Sequence, residues 1–287
     1  MTGSAGGAAL VAARGGVKND KGYVVVSMKS AKRAALALLV AFATCGVAQA
    51  ASSVLIAPVD PKLAAESRSV ALWLENRGDA SVSLQIRVFG WEQRNFADDY
   101  PEQDQVVASP PVATIAPGKK QLVRLIRTQP VPPGTELPLR VLVDDIPVAH
   151  DGHDDAPAGP TTGIRFQMRY SVPLFVYGSG LWIRDPVLKD GSGEPAVPSL
   201  VATVVQHGGR RFLNLRNDGP VHARLAAVQM IDGGGHARDV AKGLLGYVLP
   251  GAAMRWPLPD DLAVDAASRL RAKVNDEPQP WLLPIRP

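Results

Sequence analysis

The chain has 287 residues and one cysteine, and its 31 Lys and Arg residues exceed its 27 Asp and Glu residues by four. Residues 1–50 contain six of these cations and one of these anions, which leaves 25 against 26 and a formal net charge of −1 for the remainder. This near-neutral balance argues against nucleic-acid binding, since nucleic-acid-binding domains carry an excess of positive charge.

Residues 28–50 have the form of an export signal, whereas residues 1–27 do not. A basic stretch at 28–33 is followed by an apolar run at 34–47, and Ala48-Gln49-Ala50 has the small-x-small form of a signal-peptidase site. We predict that Met28 is the true start, that the residues before it are an upstream extension, and that cleavage follows Ala50. The apolar run is too short to span a bilayer, and no later segment is apolar enough to be a transmembrane segment.

The rest of the chain is predicted to be all-β. All 25 prolines lie after residue 57, and this density is hostile to long helices. Short runs rich in Val and Leu alternate with turn residues, which is typical of antiparallel sandwiches; examples are 70–74, 82–88, 139–143 and 212–215. The best helical candidate, 262–273, has too few large apolar residues to form a buried face.

An internal repeat predicts two domains. In each copy an alternating strand runs into an Asn-x-Gly turn, and a Pro-Gly turn later precedes another strand; the turns lie at 76–78 and 117–118, then at 217–219 and 250–251. We expect the glycine of Asn-x-Gly to take a positive φ, which glycine adopts readily. The repeat predicts two sandwich domains of ordinary size, 51–178 and 179–287.

The segment 163–176 is the longest alternating stretch. Apolar side chains recur at every second position and so share one face of a strand: Ile164, Phe166, Met168, Tyr170, Val172, Leu174 and Val176. Because Pro173 cannot donate to a sheet, we expect this strand to lie at an edge. Such a stripe either lines its own domain's core or pairs with the sheet of another protein, and this segment alone favours the core strand.

Six short motifs then occur in a fixed order along 51–287. They are Asn76-Arg77-Gly78, Ser109-Pro110-Pro111, the turn at 116–118 with the strand 122–125, and the stretches 140–147, 215–219 and 244–251. In this order they resemble the periplasmic chaperones of chaperone–usher pili, over nearly all of 51–287. The stretches 55–62 and 166–175 are most similar to the archaic, Csu-type branch of that family.

The resemblance implies two immunoglobulin-like β-sandwich domains in a boomerang arrangement and a non-enzymatic periplasmic chaperone without a cofactor. Members lend the last strand of the first domain to a pilin subunit that lacks one strand, which is donor-strand complementation, and deliver the pilin to an outer-membrane usher. The donor side chains implied here are Ile164, Phe166, Met168, Tyr170 and Val172. The sequence leaves open whether the free chaperone caps this strand as a homodimer.

The family also anchors the pilin's C-terminal carboxylate with basic side chains. The positions used by the best-known branch fall at Asp60 and Pro173, which cannot bind a carboxylate in that way. The archaic branch resembles this chain in having an arginine on the penultimate strand, here Arg140, and Lys62 is a second candidate. Arginine can grip a carboxylate in bidentate fashion. The alternatives are an Arg140 that is solvated or paired with Asp144, and a Lys62 that is simply exposed to solvent.

Other functions have weaker support. The stretch 148–155 contains two histidines and three aspartates, which could bind zinc or a hard cation, but it continues as an Ala, Pro and Gly loop, so we predict no metal site. Nucleophile-elbow, Walker and Rossmann motifs are absent from the sequence. The alternative of another class is a structural or adhesive envelope sandwich, including one that binds carbohydrate, and it predicts that the 164–176 stripe is buried. The five scattered tryptophans form no sugar platform, which argues against it.

Overall fold

The computed structural model describes residues 54–146, 167–185, 188 and 194–286. Within these ranges the regular secondary structure consists of eighteen β-strands, and the helical candidate overlaps the strand Arg269–Val274. The all-β prediction is therefore confirmed. No helix among the described residues is long and apolar enough to cross a bilayer. The export signal, the cluster at 148–155 and the donor candidates Ile164 and Phe166 lie outside the described residues.

The first sandwich consists of two sheets. The four-stranded sheet has the order β1 (Val54–Ala57), β3 (Ser69–Asn76), β9 (Lys120–Arg127) and β7 (Val106–Ser109). The five-stranded sheet has the order β2 (Lys62–Leu63), β11 (Arg169–Tyr177), β10 (Glu136–Ile146), β4 (Val82–Gly90) and β8 (Val112–Ile115). A separate hairpin pairs β5 (Glu92–Arg94) with β6 (Ala97–Asp99). The period-two apolar residues of both sheets meet in one core that includes Leu72, Leu84, Val123 and Val141.

The second sandwich is a seven-stranded sheet that folds over its own core. Its strands are β12 (Leu200–His207), β13 (Arg210–Asn217), β14 (Ala223–Ile231), β15 (Ala237–Val248), β16 (Ala253–Pro257), β17 (Arg269–Val274) and β18 (Trp281–Arg286). Their order is β15-β14-β17-β18-β12-β13-β16, and β18 joins the halves by pairing antiparallel with β17 and parallel with β12. The core includes Leu213, Leu225, Met230 and Leu270. The boundary at 178/179 stays a prediction.

The two Asn-x-Gly motifs have equivalent structures, because their asparagine side chains make the same hydrogen bonds. Asn76 and Asn217 are fully buried, and the Oδ1 atom of each accepts a hydrogen bond from the glycine N–H two residues later (2.9 and 3.0 Å). The Nδ2 atoms donate to four carbonyls, those of Ala80 and Ile115 and those of Val221 and Val248. Each side chain therefore ties a turn to a neighbouring strand, and a buried polar group is fully satisfied.

The expected positive φ at these glycines is wrong. Neither Gly78 nor Gly219 has one, and Gly219 is required by space, because a Cβ atom there would lie 2.4 Å from the backbone nitrogen of Ser199. Positive φ instead occurs in the Pro-Gly turns, at Gly118 (67°) and Gly251 (71°). The N–H groups of these two glycines donate to the carbonyls of the two motif asparagines, so the turns of each repeat are bonded together.

Strand β11 has two different edges. It pairs with β10 along its whole length, whereas on its other side, among the described residues, it pairs only with the two residues of β2, opposite Phe175 and Val176. The edge position predicted from Pro173 is confirmed for the part of β11 before Phe175. Apart from β10, no strand in the part of the chain that the structure describes pairs with the backbone there, as is typical of an edge strand.

Candidate functional site

The described side chains of the apolar stripe become less exposed from Met168 to Val172. Met168, just before the strand, is 44% exposed, and its carbonyl accepts a hydrogen bond from the N–H of Asp145 (2.9 Å). Tyr170 is half-buried at the margin of the core, and Val172 is 6% exposed and lies inside it. Of the described donor candidates, Met168 offers the most apolar surface to a partner, while Val172 packs within its own domain.

Asp144 binds a polar side chain at the start of β11. Its carboxylate accepts hydrogen bonds from Arg87 (2.7 Å) and from the Nε atom of Arg169, which begins β11. Burial alone would raise the pKa of Asp144, but these two arginines outweigh burial and lower it. The suggested ion pair between Arg140 and Asp144 is therefore wrong, because Asp144 is engaged by two other arginines.

Arg140 lies against aromatic rings. The guanidinium carbon is 3.6 Å from the ring centroid of Trp91 and 5.5 Å from that of Tyr247, so cation–π attraction holds the charge in place. Among the described residues no carboxylate lies within ion-pairing distance, and the buried Nε atom has no hydrogen-bond partner. Burial lowers the pKa of Arg140, and Tyr100, Tyr247 and Asp98 oppose that shift.

A partly buried arginine in this state is suited to an anion. Its planar face is covered by an aromatic ring, while its N–H groups project along the plane, the direction from which a carboxylate binds. Because the guanidinium stays protonated at every physiological pH, the positive charge is permanent. The solvated Arg140 that the sequence left as an alternative is not what the structure shows, since the side chain is packed between rings.

Lys62 is surrounded by carboxylates. Its Nζ atom lies 2.6 Å from Asp185, 3.1 Å from Asp276 and 3.8 Å from Asp60, and its side chain is only 10% exposed. Burial alone would lower the pKa of Lys62, but Asp185 and Asp276 outweigh burial and raise it. The alternative of plain solvent exposure is wrong, and the charge of Lys62 is already balanced.

The two cations lie on one face of the five-stranded sheet, which meets the second sandwich. Phe175 stands between their strands and stacks on His222 of the second sandwich, with ring centroids 3.4 Å apart and planes 5° apart. The carboxylate of Glu136 accepts hydrogen bonds from the backbone N–H of His222 (3.0 Å) and pairs with its Nδ1 atom (2.8 Å). The candidate site is thus built from both sandwiches.

Sequence reasoning missed most of this interface. It did not single out Trp91, Glu136, Phe175, His222 or Tyr247 for any role, because nothing local marks them as neighbours. One signal was present: the outward positions of the last strand turn apolar from Pro173 onward, which predicts that this end of the strand is covered on both faces. No group of three or more His, Cys, Asp or Glu side chains among the described residues could hold a metal ion.

Comparison with known proteins indicates the family. A family model described as "Pili and flagellar-assembly chaperone, PapD N-terminal domain" matches residues 54–181. A chain in the crystal structure of the CsuC–CsuE chaperone–tip adhesion subunit pre-assembly complex, from archaic chaperone-usher Csu pili of Acinetobacter baumannii, is 29% identical with a TM-score of 0.61. That match covers 81% of this chain and 98% of that chain. Residues 54–181 thus match the N-terminal domain of pilus-assembly chaperones, and most of the chain is similar to the archaic Csu chaperone.

Other solved pilus chaperones share the fold at lower identity. The CupB2 chaperone of Pseudomonas aeruginosa is 19% identical with a TM-score of 0.52, covering 81% of this chain and 100% of that chain. A chain of the Salmonella enterica complex of the SafA pilin with the SafB chaperone is 16% identical with a TM-score of 0.54, covering 82% and 99%. A search of curated protein sequences finds no significant match.

These findings confirm several predictions. The two sandwich domains are immunoglobulin-like, and the family is one of non-enzymatic assembly chaperones. The predicted similarity to the archaic Csu branch agrees with 29% identity to the Csu chaperone, against 19% and 16% for the other two. The assignment of particular donor and anchor residues is tested by none of them.

Proposed function

We propose that this chaperone binds pilin subunits in the periplasm by donor-strand complementation, through the segment that leads into β11. The observation that carries the proposal is the half-unpaired edge of β11 beside an exposed Met168. A pilin sheet that lacks one strand can add its main chain to this edge and cover the apolar stripe. Each apolar side chain buried in this way contributes about 1.5–3 kcal/mol.

The proposed donor series is Ile164, Phe166, Met168, Tyr170 and Val172. Met168 and the residues before it would enter the groove of the pilin, and Tyr170 would lie at its mouth. Val172, whose side chain is in the chaperone's own core, would anchor the donor segment to its domain. The Asp144 pairs with Arg87 and Arg169 would fix the direction in which the segment leaves.

Arg140 is the proposed anchor for the C-terminal carboxylate of the pilin. The support is its packing on Trp91, its unpartnered Nε atom, and a partly exposed side chain that lies between rings of the two sandwiches. A carboxylate bound there would supply the ion-pair partner that Arg140 lacks among the described residues. To Lys62, which three carboxylates already surround, we assign the smaller share of this binding.

The family resemblance supports the rest of the proposal. Cleavage after Ala50 would release a periplasmic protein of two domains, 51–178 and 179–287, which delivers the bound pilin to an outer-membrane usher. The same unpaired edge would allow two free copies to cap each other as a homodimer.

A periplasmic co-expression pull-down tests the proposal. The tagged chaperone, beginning at residue 51, is expressed with a pilin subunit from the same gene cluster, beside the variants Met168→Asp and Arg140→Ala. Leu282→Asp is the matched control, because Leu282 is 48% exposed but belongs to the second sandwich. We expect a one-to-one complex that the control retains and both test variants lose.

The other outcomes are equally informative. Loss with Met168→Asp alone would keep strand donation and move the carboxylate anchor away from Arg140, with Lys62 as the next residue to test. No complex with any subunit, from a chaperone that is well folded, would overturn the proposal and favour a structural or adhesive envelope protein.

A further inference from the structure

The two aromatic walls around Arg140 come from different sandwiches. Trp91 directly precedes the hairpin of β5 and β6 in the first sandwich, whereas Tyr247 lies near the end of β15 in the second. The rings contact each other edge-on, with centroids 5.1 Å apart. The guanidinium of Arg140 is therefore oriented only while the hairpin and β15 keep their relative position.

One side chain links the two walls, directly to the backbone of Tyr247 and through Asp98 to Trp91. The amide of Gln93 donates from Nε2 to the carbonyl of Tyr247 (3.0 Å), and its Oε1 accepts from the backbone N–H of Leu249 (2.9 Å). It thus imitates a neighbouring strand at the edge of β15, where backbone groups need partners. Toward the other wall, Nε2 also donates to Oδ1 of Asp98 (3.0 Å), which accepts from the indole Nε1 of Trp91 (2.8 Å).

The turn between β5 and β6 also contacts the second sandwich. Asn95 and Phe96 both have positive φ (53° and 64°), the conformation of a tight two-residue hairpin turn. This conformation is unfavourable for a residue such as Phe, so it is maintained by what the turn contacts. The ring of Phe96 lies 4.5 Å from the guanidinium of Arg255 in β16, a second contact with the other sandwich.

From this geometry we propose that Gln93 is a positioning residue for the carboxylate anchor. Among the described residues no hydrogen bond joins Gln93 to Arg140, and Gln93 acts by holding the backbone of Tyr247 and, through Asp98, the indole of Trp91, between which Arg140 is oriented. The inference rests on the proposed function of Arg140 as the anchor. Without Gln93 the rings of Trp91 and Tyr247 can move apart. The N–H groups of the Arg140 guanidinium then lose their fixed orientation, which weakens bidentate binding of the carboxylate.

The test measures preference for a carboxylate, which a merely structural role would not change. The probe is a denatured pilin subunit of the same gene cluster, prepared with its free C-terminal acid or with a C-terminal amide. Its capture is titrated with wild-type chaperone, Gln93→Met, Gln93→Glu and Arg140→Ala. The readout is the ratio of half-saturating chaperone concentrations for the amide and the acid.

Gln103 offers a matched control. Its amide also bridges backbone groups, donating to the carbonyls of Val88 and Val106 and accepting from two N–H groups, but entirely within the first sandwich. Gln103→Met therefore reports on the loss of a bridging glutamine in general. Residues that orient metal ligands affect affinity about 10–100-fold, and by analogy we expect Gln93→Met to lower the amide-to-acid ratio of half-saturating concentrations at least about 10-fold.

The expected pattern is a ratio near one for Arg140→Ala and a strongly reduced ratio for both Gln93 variants, with the wild-type ratio kept by Gln103→Met. If Arg140→Ala abolishes the preference while both Gln93 variants keep it, the inference is overturned and the anchor stands. If wild-type chaperone shows no preference for the acid, the anchor itself is wrong, and the inference is overturned with it. Gln93→Glu keeps the decision available if Gln93→Met does not fold.

Discussion

Arg140 and Lys62 are two cations on the same face of one sheet, separated by the strand that carries Phe175. Lys62 is bound by three carboxylates, whereas Arg140 is packed on aromatic rings without a carboxylate among the described residues. The family resemblance made Arg140 a candidate for the anchor, and the position of Lys62 near Asp60 made it the second candidate. The difference shows that the availability of a buried cation depends on whether the protein itself supplies its counter-charge.

The largest effect is expected for Arg140→Ala on pilin capture. Removing one partner of a buried charge pair costs about 2–5 kcal/mol, which is roughly a 30- to several-thousand-fold loss of affinity. The free chaperone should unfold at nearly the same temperature, because the cation–π contact, worth about 0.5–2 kcal/mol, is opposed by the cost of burying the charge. Titration of denatured pilin and a thermal melt of the same sample measure both quantities.

Arg140→Lys is the control for this prediction. It keeps a positive charge but loses the planar fork, so its capture should fall between those of wild type and Arg140→Ala. An Arg140→Ala variant that captures pilin normally, or that unfolds many degrees earlier, would contradict the contrast between the two cations.

The opposite pattern is expected for Lys62→Met. Loss of the ammonium leaves buried carboxylate charge unbalanced, since the side chain of Asp185 is only 7% exposed, and should lower the free energy of unfolding by about 1–3 kcal/mol. Pilin capture should weaken far less than with Arg140→Ala. Urea denaturation and the capture titration check the two effects, and Asp276→Asn, which removes charge at a more exposed carboxylate, should destabilise less. Equal losses of capture for Lys62→Met and Arg140→Ala would show that both cations bind the pilin.

A smaller effect is expected from pH. The pKa of Lys62 is raised above its ordinary value of 10.5, so the folded state holds this proton more tightly than the unfolded chain does. The stabilisation is fully present below pH 10.5 and is lost as the pH rises through the folded-state pKa. The difference in unfolding free energy between wild type and Lys62→Met should therefore be constant from pH 7 to pH 9 and shrink above pH 10.5. A difference that stays constant up to pH 12 would mean that Lys62 stabilises by packing and not by charge.

Some predictions gave the correct location of a turn but the wrong interaction that stabilises it. The Asn-x-Gly motifs do mark equivalent turns in the two domains, but the buried asparagine side chains bond the turns and the glycines have no positive φ. A three-residue pattern indicates that a turn is present, whereas the partner of a side chain depends on a strand elsewhere in the sequence. The same reason explains why Asp144 was matched with Arg140 and is bound by Arg87 and Arg169.

The sequence by itself determined the strands, the two repeats and the alternating stripe before β11, because these depend on side-chain period and turn residues within a few positions. It also identified Arg140 and Lys62 through a resemblance of motifs. Only the tertiary structure decided how the two differ, since the carboxylates that bind Lys62 at Asp185 and Asp276 lie 123 and 214 positions away. Local patterns carry no information on such contacts, and the packing of the two sandwiches creates them.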